Sequence, residues 1–289
     1  MQLTKWTSLA RKLPSPLYKI LARGYIDYEF PRHIFIETTA NCNLSCAYCP
    51  REKIKEDMDF VLFKEIVNEC SRYGARSFSL HLFGEPLLYP KIREAIEYIK
   101  AKNRRHTILL TTNGTILNKY AKFLQGTVDR VIWSYRKNNF DEESIRLLRR
   151  KGLIRLLIEE TPKEEFEKWS KFPRVEIKHL HNYGGNIDVS KWGLSKDIQQ
   201  LRYPCYHLWL APAIRWNGDI TICCNDPNGK ESFGKYSNVF NLRSFWSSDR
   251  LLRIRESHKR GDYKGLCVNC DSWKAYPNIF WGHEFTQKV

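Results

Sequence analysis

The 289-residue chain carries 48 lysines and arginines against 32 aspartates and glutamates, a net charge of +16, with 42% hydrophobic and 13% aromatic residues. That length buries one substantial core, or one core plus a small appended module, and no run of about 18 apolar residues marks a membrane span. The positive balance favours anionic partners, but the basic residues are spread along predicted helices (Arg149-Arg150-Lys151, Arg253, Arg255, Lys259-Arg260) rather than gathered in a tail, which reads as a generally basic solvated surface.

The first segment, Met1–Leu13, mixes Lys5, Arg11 and Lys12 with Trp6 and Leu9 and has no signal-peptide core; it is expected to be a short amphipathic helix packed on the domain, with contact to a membrane surface as the alternative. His33 to Glu37 reads as a strand, and the loop that leaves it holds Cys42-x3-Cys46-x2-Cys49. Four cysteines would close an iron–sulfur cluster or a structural zinc; three leave one corner open for another ligand. The plain alternative is a zinc knuckle lacking its fourth ligand.

Phe60 to Tyr73 has helical periodicity ended by Gly74, with Cys70 as a small core residue. Ser77 to Phe83 reads as a strand running into Gly84-Glu85-Pro86, followed by a helix to about Lys102. His106 to Thr111 is a strand ending in Thr112-Asn113-Gly114, with a helix through Ile116, Leu117, Tyr120 and Phe123 after it. Asp129 to Ser134, Ile154 to Glu159 and Val175 to Leu180 are the remaining strands, separated by helices around Ile145 to Leu148 and Lys163 to Lys171. Six strand–helix alternations argue for parallel strands with right-handed crossovers. Such sheets gather their active groups at the C-terminal strand ends, where the cysteine loop, Gly84-Glu85-Pro86, Thr112-Asn113-Gly114 and Ser134 all fall.

Beyond the sixth strand, Asn182-Tyr183-Gly184-Gly185-Asn186 is turn-rich and Ile187 to Leu201 looks like a surface segment. Ile214 to Ile222 reads as a hairpin turning at Asn217-Gly218 and delivering Cys223 at its far end. Eight of the nine cysteines fall into two groups: the first loop, and Cys205, Cys223, Cys224, Cys267 and Cys270. Metal-ligand spacing without a secretion signal points to a reducing cytoplasm.

The spacing Cys42-x3-Cys46-x2-Cys49, with Tyr48 before the last cysteine, resembles the signature of the radical S-adenosylmethionine (radical SAM) enzymes. The resemblance implies a partial (β/α)6 TIM-like barrel over residues 33–186, after an N-terminal segment 1–32, with Cys42, Cys46 and Cys49 holding a 4Fe–4S cluster whose fourth iron chelates S-adenosylmethionine. It implies cofactor contacts from Gly84, Glu85 and Pro86, which match a Gly-Gly-Glu-Pro-like turn with Phe83 in place of the first glycine; in that family the backbone and the acidic residue hold the methionine ammonium. Thr112, Asn113 and Ser134 stand where the family also touches the cofactor, though Tyr135-Arg136-Lys137-Asn138 departs from the usual continuation. Cys205-x12-Gly218-x4-Cys223 looks like the first half of the SPASM signature, and the positions of two further SPASM cysteines hold Tyr276 and Phe280. Residues 187–289 therefore resemble a shortened, α+β "twitch" extension with one auxiliary 4Fe–4S cluster on Cys205, Cys223, Cys267 and Cys270, where zinc is the alternative.

The implied activity is reductive cleavage of S-adenosylmethionine to a 5′-deoxyadenosyl radical, abstraction of a substrate hydrogen atom, and oxidation of a sugar- or cyclitol-type small molecule with the auxiliary cluster accepting the electron. The cysteine layout resembles that of the dehydrogenases acting on 2-deoxy-scyllo-inosamine. The alternative is maturation or epimerisation of a ribosomally made peptide or a sugar, with Cys224 as hydrogen-atom donor. Tyr135, Arg136, Glu159, Glu160, His179 and His181 are candidate acid–base or orienting residues. A flavodoxin or ferredoxin would supply the low-potential electron. The alternative of another class is a non-catalytic iron–sulfur or zinc protein binding nucleic acid through its charge, disfavoured by the presence of Gly84-Glu85-Pro86 and Ser134.

Overall fold

Six parallel strands form the frame: β1 (His33–Ile36), β2 (Ser77–Ser79), β3 (Thr107–Thr112), β4 (Arg130–Ser134), β5 (Gly152–Leu157) and β6 (Val175–Lys178). They alternate with α1 (Phe60–Arg72), α2 (Ile92–Lys102), α3 (Ala121–Thr127), α4 (Glu142–Leu147) and α5 (Lys163–Trp169), and each strand pairs in parallel with the next. The computed structural model describes residues 27–136, 141–148, 150–172, 174–194 and 204–272. The expected helix over Met1–Leu13 and the positions Tyr276 and Phe280 lie outside the described residues.

The local causes are the ordinary ones. Asp59 caps α1 by accepting the Val61 and Leu62 N–H groups, and the buried stripe Phe63, Ile66, Val67, Cys70 recurs at helical spacing. Along the strands, Ile34, Ile36, Phe78 and Leu110 are buried in the core. Their alternate neighbours His33, Phe35, Leu109 and Thr111 line the barrel lumen. β2 stops at Ser79, short of the expected Phe83, because His81 Nδ1 accepts the Thr111 N–H at 3.1 Å and a side chain replaces the next ladder bond.

The C-terminal part joins this frame directly. It contains α6 (His207–Leu210), β7 (Ala213–Ile214), β8 (Asp219–Thr221), β9 (Ser232–Lys235), α7 (Leu242–Trp246) and α8 (Asp249–Lys259). β7 and β8 form the expected antiparallel hairpin, and Gly218, at φ 88°, takes the left-handed position of its turn. β9 is an added antiparallel neighbour of β8 that the residue pattern did not suggest. β7 also pairs in parallel with β1, Phe35 opposite Ala213, so the sheet runs unbroken as β6-β5-β4-β3-β2-β1-β7-β8-β9. The extension is thus a continuation of the barrel rather than a module hung on it. Leu208, Ile220, Phe245 and Trp246 belong to the same buried core as Ile34 and Ile66. Buried Glu69 of α1 accepts the Leu242 and Arg243 N–H groups at 3.1 and 2.9 Å, supplying negative charge to the first turn of α7 from the barrel side.

Candidate active site

The three-cysteine loop leaves β1 and folds around Arg51, a residue the sequence analysis passed over. Its guanidinium donates to the carbonyls of Ala40, Cys42 and Leu44 at 3.2–3.3 Å, fixing the arc that carries the first thiols. Cys49 N–H donates to the Cys46 carbonyl at 3.0 Å. All three thiols face a cleft of about 2060 Å³ running through the barrel. Burial raises the Cys42 and Cys49 pKa values, and the Arg51 charge pulls both back down.

The Gly84-Glu85-Pro86 turn is pressed against this loop. Glu85 N–H donates to the Asn41 carbonyl at 2.8 Å, and a Cβ on Gly84 would lie 2.0 Å from the Thr39 carbonyl oxygen, so no larger residue fits. Glu85 is buried and its carboxylate is already engaged. Oε1 accepts from Leu87 N–H (3.1 Å) and Thr112 Oγ1 (2.7 Å), and Oε2 accepts from Asn113 N–H (2.6 Å). These three bonds tie the β2 and β3 loops together at the position that sequence reasoning assigned to the cofactor. Asn113, held by that bond, sends Nδ2 to Asn43 Oδ1 (2.9 Å) and to Cys42 Sγ (3.7 Å). Gly84, Glu85, Thr112, Asn113 and Ser134 line the cleft, whereas Pro86 opens a buried 3-10 turn behind it.

Further along the sheet, Ser134, Arg155 and Glu176 stand in one register row across β4, β5 and β6. Besides the exposed His179, four imidazoles face the lumen: His33, His81, His181 and His207. Burial holds them neutral, His33 and His81 near 3, His181 and His207 near 4, with Arg155 or Lys178 adding to the effect on the last three. Of the candidate acid–base residues, Arg136, His179 and His181 line the cleft. Tyr135 is buried with Trp133 and Trp169, Glu159 holds His179 at 2.6 Å, and Glu160 accepts from Trp192.

Cys205, Cys223, Cys267 and Cys270 converge on a second, smaller pocket with His258 and Leu266. The Cys205 thiol is raised by burial and then by Cys223, Cys270 and Cys267, and the Cys223 thiol by its hydrogen bond to Cys224 and then by burial. Four half-buried cysteines, of which Cys205 and Cys270 are raised by burial and by neighbouring thiols, are a donor set that a cationic metal group stabilises, because it reverses the sign of the local charge. Among the described residues no three His, Cys, Asp or Glu side chains stand close enough around one point for a single metal ion; a cluster spreads its thiolates over several metal atoms. Cys224 does not join the four. It lines the large cleft, Sγ 3.8 Å from His207 Nε2. Between the two pockets lies the loop around Tyr183, a residue with φ 48° whose ring is 5.7 Å from that of Phe83.

Residues 36–158 match the Radical SAM superfamily, so the barrel of this chain is a radical SAM domain. Its C-terminal part, residues 205–271, matches the SPASM iron–sulfur cluster-binding domain, so a SPASM domain follows the radical SAM domain in this chain. A probable GTP 3′,8-cyclase of Methanococcus maripaludis is 37% identical over 105 residues, 35% of this chain and 35% of that one. The GTP 3′,8-cyclase of Chlorobaculum tepidum is 32% identical over 90 residues, 30% of this chain and 27% of that one. The chain spans about a third of the length of these curated relatives. Among solved structures, BtrN in complex with AdoMet and 2-DOIA has a TM-score of 0.62 at 21% identity, covering 83% of this chain and 92% of BtrN. Streptococcus suis SuiB bound to the precursor peptide SuiA has a TM-score of 0.58 at 17% identity, covering 80% and 68%. Likeness at those identities is a likeness of fold.

Proposed function

We propose that Cys42, Cys46 and Cys49 hold a 4Fe–4S cluster with one iron left for S-adenosylmethionine, that Cys205, Cys223, Cys267 and Cys270 hold an auxiliary 4Fe–4S cluster, and that the enzyme oxidises a sugar- or cyclitol-type small molecule lying between them. When bound, these groups supply reductive cleavage of S-adenosylmethionine, hydrogen-atom abstraction from the substrate and a sink for the electron left behind. In this reading 33–186 is the catalytic barrel and 187–289 the auxiliary part, an external flavodoxin- or ferredoxin-like donor delivers the electron, and the thiols require a reducing, cytoplasmic setting.

The observation that carries the reading is that Cys270 lines both pockets, so the four-thiol site adjoins the cleft into which the first three cysteines open. A site with four protein thiolates has no corner for substrate, which suits an electron acceptor. The chain's own residues do the positioning. Asn113 steadies the first cysteine through Sγ, Ser134 and Gly84 line the cofactor end, and His207 offers a neutral ring whose buried Nδ1 has no partner among the described residues. Anaerobic reconstitution, reduction with S-adenosylmethionine and tracking of deuterium from candidate substrates into 5′-deoxyadenosine tests it, with a product two hydrogens poorer as the expected outcome. A product of unchanged oxidation state refutes the oxidation.

A second reading, epimerisation, has its own observation: Cys224 faces the cleft instead of the auxiliary pocket. A thiol there is placed to return a hydrogen atom to a substrate radical. Cys224→Ala would then leave 5′-deoxyadenosine formation intact and abolish epimerised product.

A further inference from the structure

Strand direction gathers positive charge at the end of the barrel away from the cysteines. The six parallel strands all start on one side, so the loops that feed them lie next to one another. Ser77 N–H donates to the Arg32 carbonyl, Thr107 N–H to that of Arg76 and Val131 N–H to that of Lys151, at 3.0–3.1 Å. Arg104 and Arg105 precede β3, Arg130 opens β4, Arg150 and Lys151 precede β5, and Arg174 precedes β6 and donates to the Arg150 carbonyl. Arg104, Arg105, Arg150 and Arg174 are exposed, and none of the six forms an ion pair among the described residues. Burial and then the Arg174 charge lower the Arg130 pKa, the mark of like charges held close. The acids of the same loops are already engaged: Asp27 with Arg76 at 3.1 Å, Glu29 with Arg243 at 3.7 Å and Asp129 with Lys100 at 2.7 Å. The chain also enters at this end, through Asp27 to Arg32, where Tyr28 is 65% exposed. The 26 residues before Asp27 carry Lys5, Arg11, Lys12, Lys19 and Arg23 and no acid, so they cannot neutralise the loops; apolar Leu3, Trp6, Ala10 and Leu13 recur there at intervals of three and four.

We propose that this basic end of the barrel, together with residues 1–26, is a docking surface for an anionic phospholipid membrane. Each Lys or Arg brought near such a surface is worth about fivefold in partitioning. Charge alone would suit a nucleic acid equally well. The apolar half of the first 26 residues decides between them: a tryptophan and leucines at helical spacing, with cations between, have no counterpart on a phosphate backbone but enter the boundary between headgroups and acyl chains. Exposed Tyr28, with a polar tip on an apolar ring, suits the same boundary. The contact is with the membrane surface and not across it; among the described residues no helix is long and apolar enough to cross a membrane. The cysteine loops, at the opposite strand ends, would then face water. This docking goes beyond the proposed function and does not depend on what the cysteines hold.

The test is sedimentation of the full chain with vesicles of phosphatidylcholine alone, or of phosphatidylcholine and phosphatidylserine at two to one, over a series of salt concentrations. Binding to the anionic vesicles is expected to be tighter by about tenfold or more and to weaken as salt rises. Arg104→Gln, Arg105→Gln and Arg150→Gln together should lower it about 100-fold. Lys53→Gln, Lys55→Gln and Lys122→Gln, which remove the same total charge from the cysteine loop and the start of α3, should alter it less than about twofold. All six of these cations are exposed, so a loss of binding is not a loss of fold. Trp6→Ala with Leu13→Ala should weaken binding severalfold at every salt concentration. Equal binding to both vesicles, equal losses in the two triple variants, or wild-type affinity in the Trp6 and Leu13 variant overturns the proposal. So does tighter binding, per accessible phosphate, of a mixed-sequence RNA hairpin than of the anionic vesicles, which would assign the basic end to nucleic acid. Absence of 5′-deoxyadenosine formation after reconstitution would count against the proposed function instead, and leaves the vesicle result standing.

Discussion

Removing the Glu85 carboxylate separates a residue that holds loops together from one that holds a ligand. Glu85→Ala strands the Leu87 and Asn113 N–H groups inside the protein, each worth about 1–3 kcal/mol, while Thr112 loses one acceptor. Against this, burial pushes the Glu85 carboxyl up to about 7 from 4.5, so its ionised form carries a penalty that alanine removes. Because the folded-state pKa is the higher one, Glu85's contribution is fully present below about 4.5 and is lost as pH rises through about 7. That is a change of about 3 kcal/mol at 1.36 kcal/mol per pKa unit. The substitution should therefore cost about 4 kcal/mol near pH 5 and only about 1–2 kcal/mol near pH 8. Urea unfolding of the cofactor-free chain at both pH values measures it, and other titrating groups cancel in the difference. Were Glu85 chiefly a ligand contact, the cofactor-free chain would lose less than about 1 kcal/mol; that result, or a cost that grows with pH, refutes the reasoning.

Gly84→Ala should destabilise the chain by about 3 kcal/mol or more and lower iron uptake, since the new Cβ meets backbone at Thr39; wild-type urea unfolding would contradict the close approach. Glu37 is buried beneath the cysteine loop, accepts the Phe83 and Trp216 N–H groups, and is raised to about 7 by burial. Glu37→Gln should flatten part of the fall in stability between pH 5 and 8, and a slope identical to wild type counts against it. Cys223→Ala should reduce bound iron after reconstitution while Cys224→Ala should not, as read by iron analysis; equal losses would place both thiols on the auxiliary group.

Much of the frame was legible because each unit has a local cause. The stripe of Phe63, Ile66 and Cys70 and the Asn217-Gly218 turn both appear where the residue pattern puts them. The strand ends moved by one or two residues, and by four at β2, where a histidine side chain takes over a ladder bond. Both cysteine groups were legible from spacing alone. The loop-joining bonds of Glu85 were not, since its three partners come from two loops. Arg51 had a signal, a basic residue following Cys49-Pro50, and Arg155 had another, a lone charge inside Gly152–Leu157. Pairing of β7 with β1 had none: a two-residue strand carries too little pattern to name its neighbour.

That pairing has a mechanical consequence. Cys42 hangs from the end of β1 and Cys223 from the end of the hairpin begun by β7, and those two strands are laced together by backbone bonds such as Glu37 N–H to the Ile214 carbonyl at 2.8 Å. In the proposed function, the span between the two cysteine groups is therefore set by backbone pairing within the scaffold and not by what is bound.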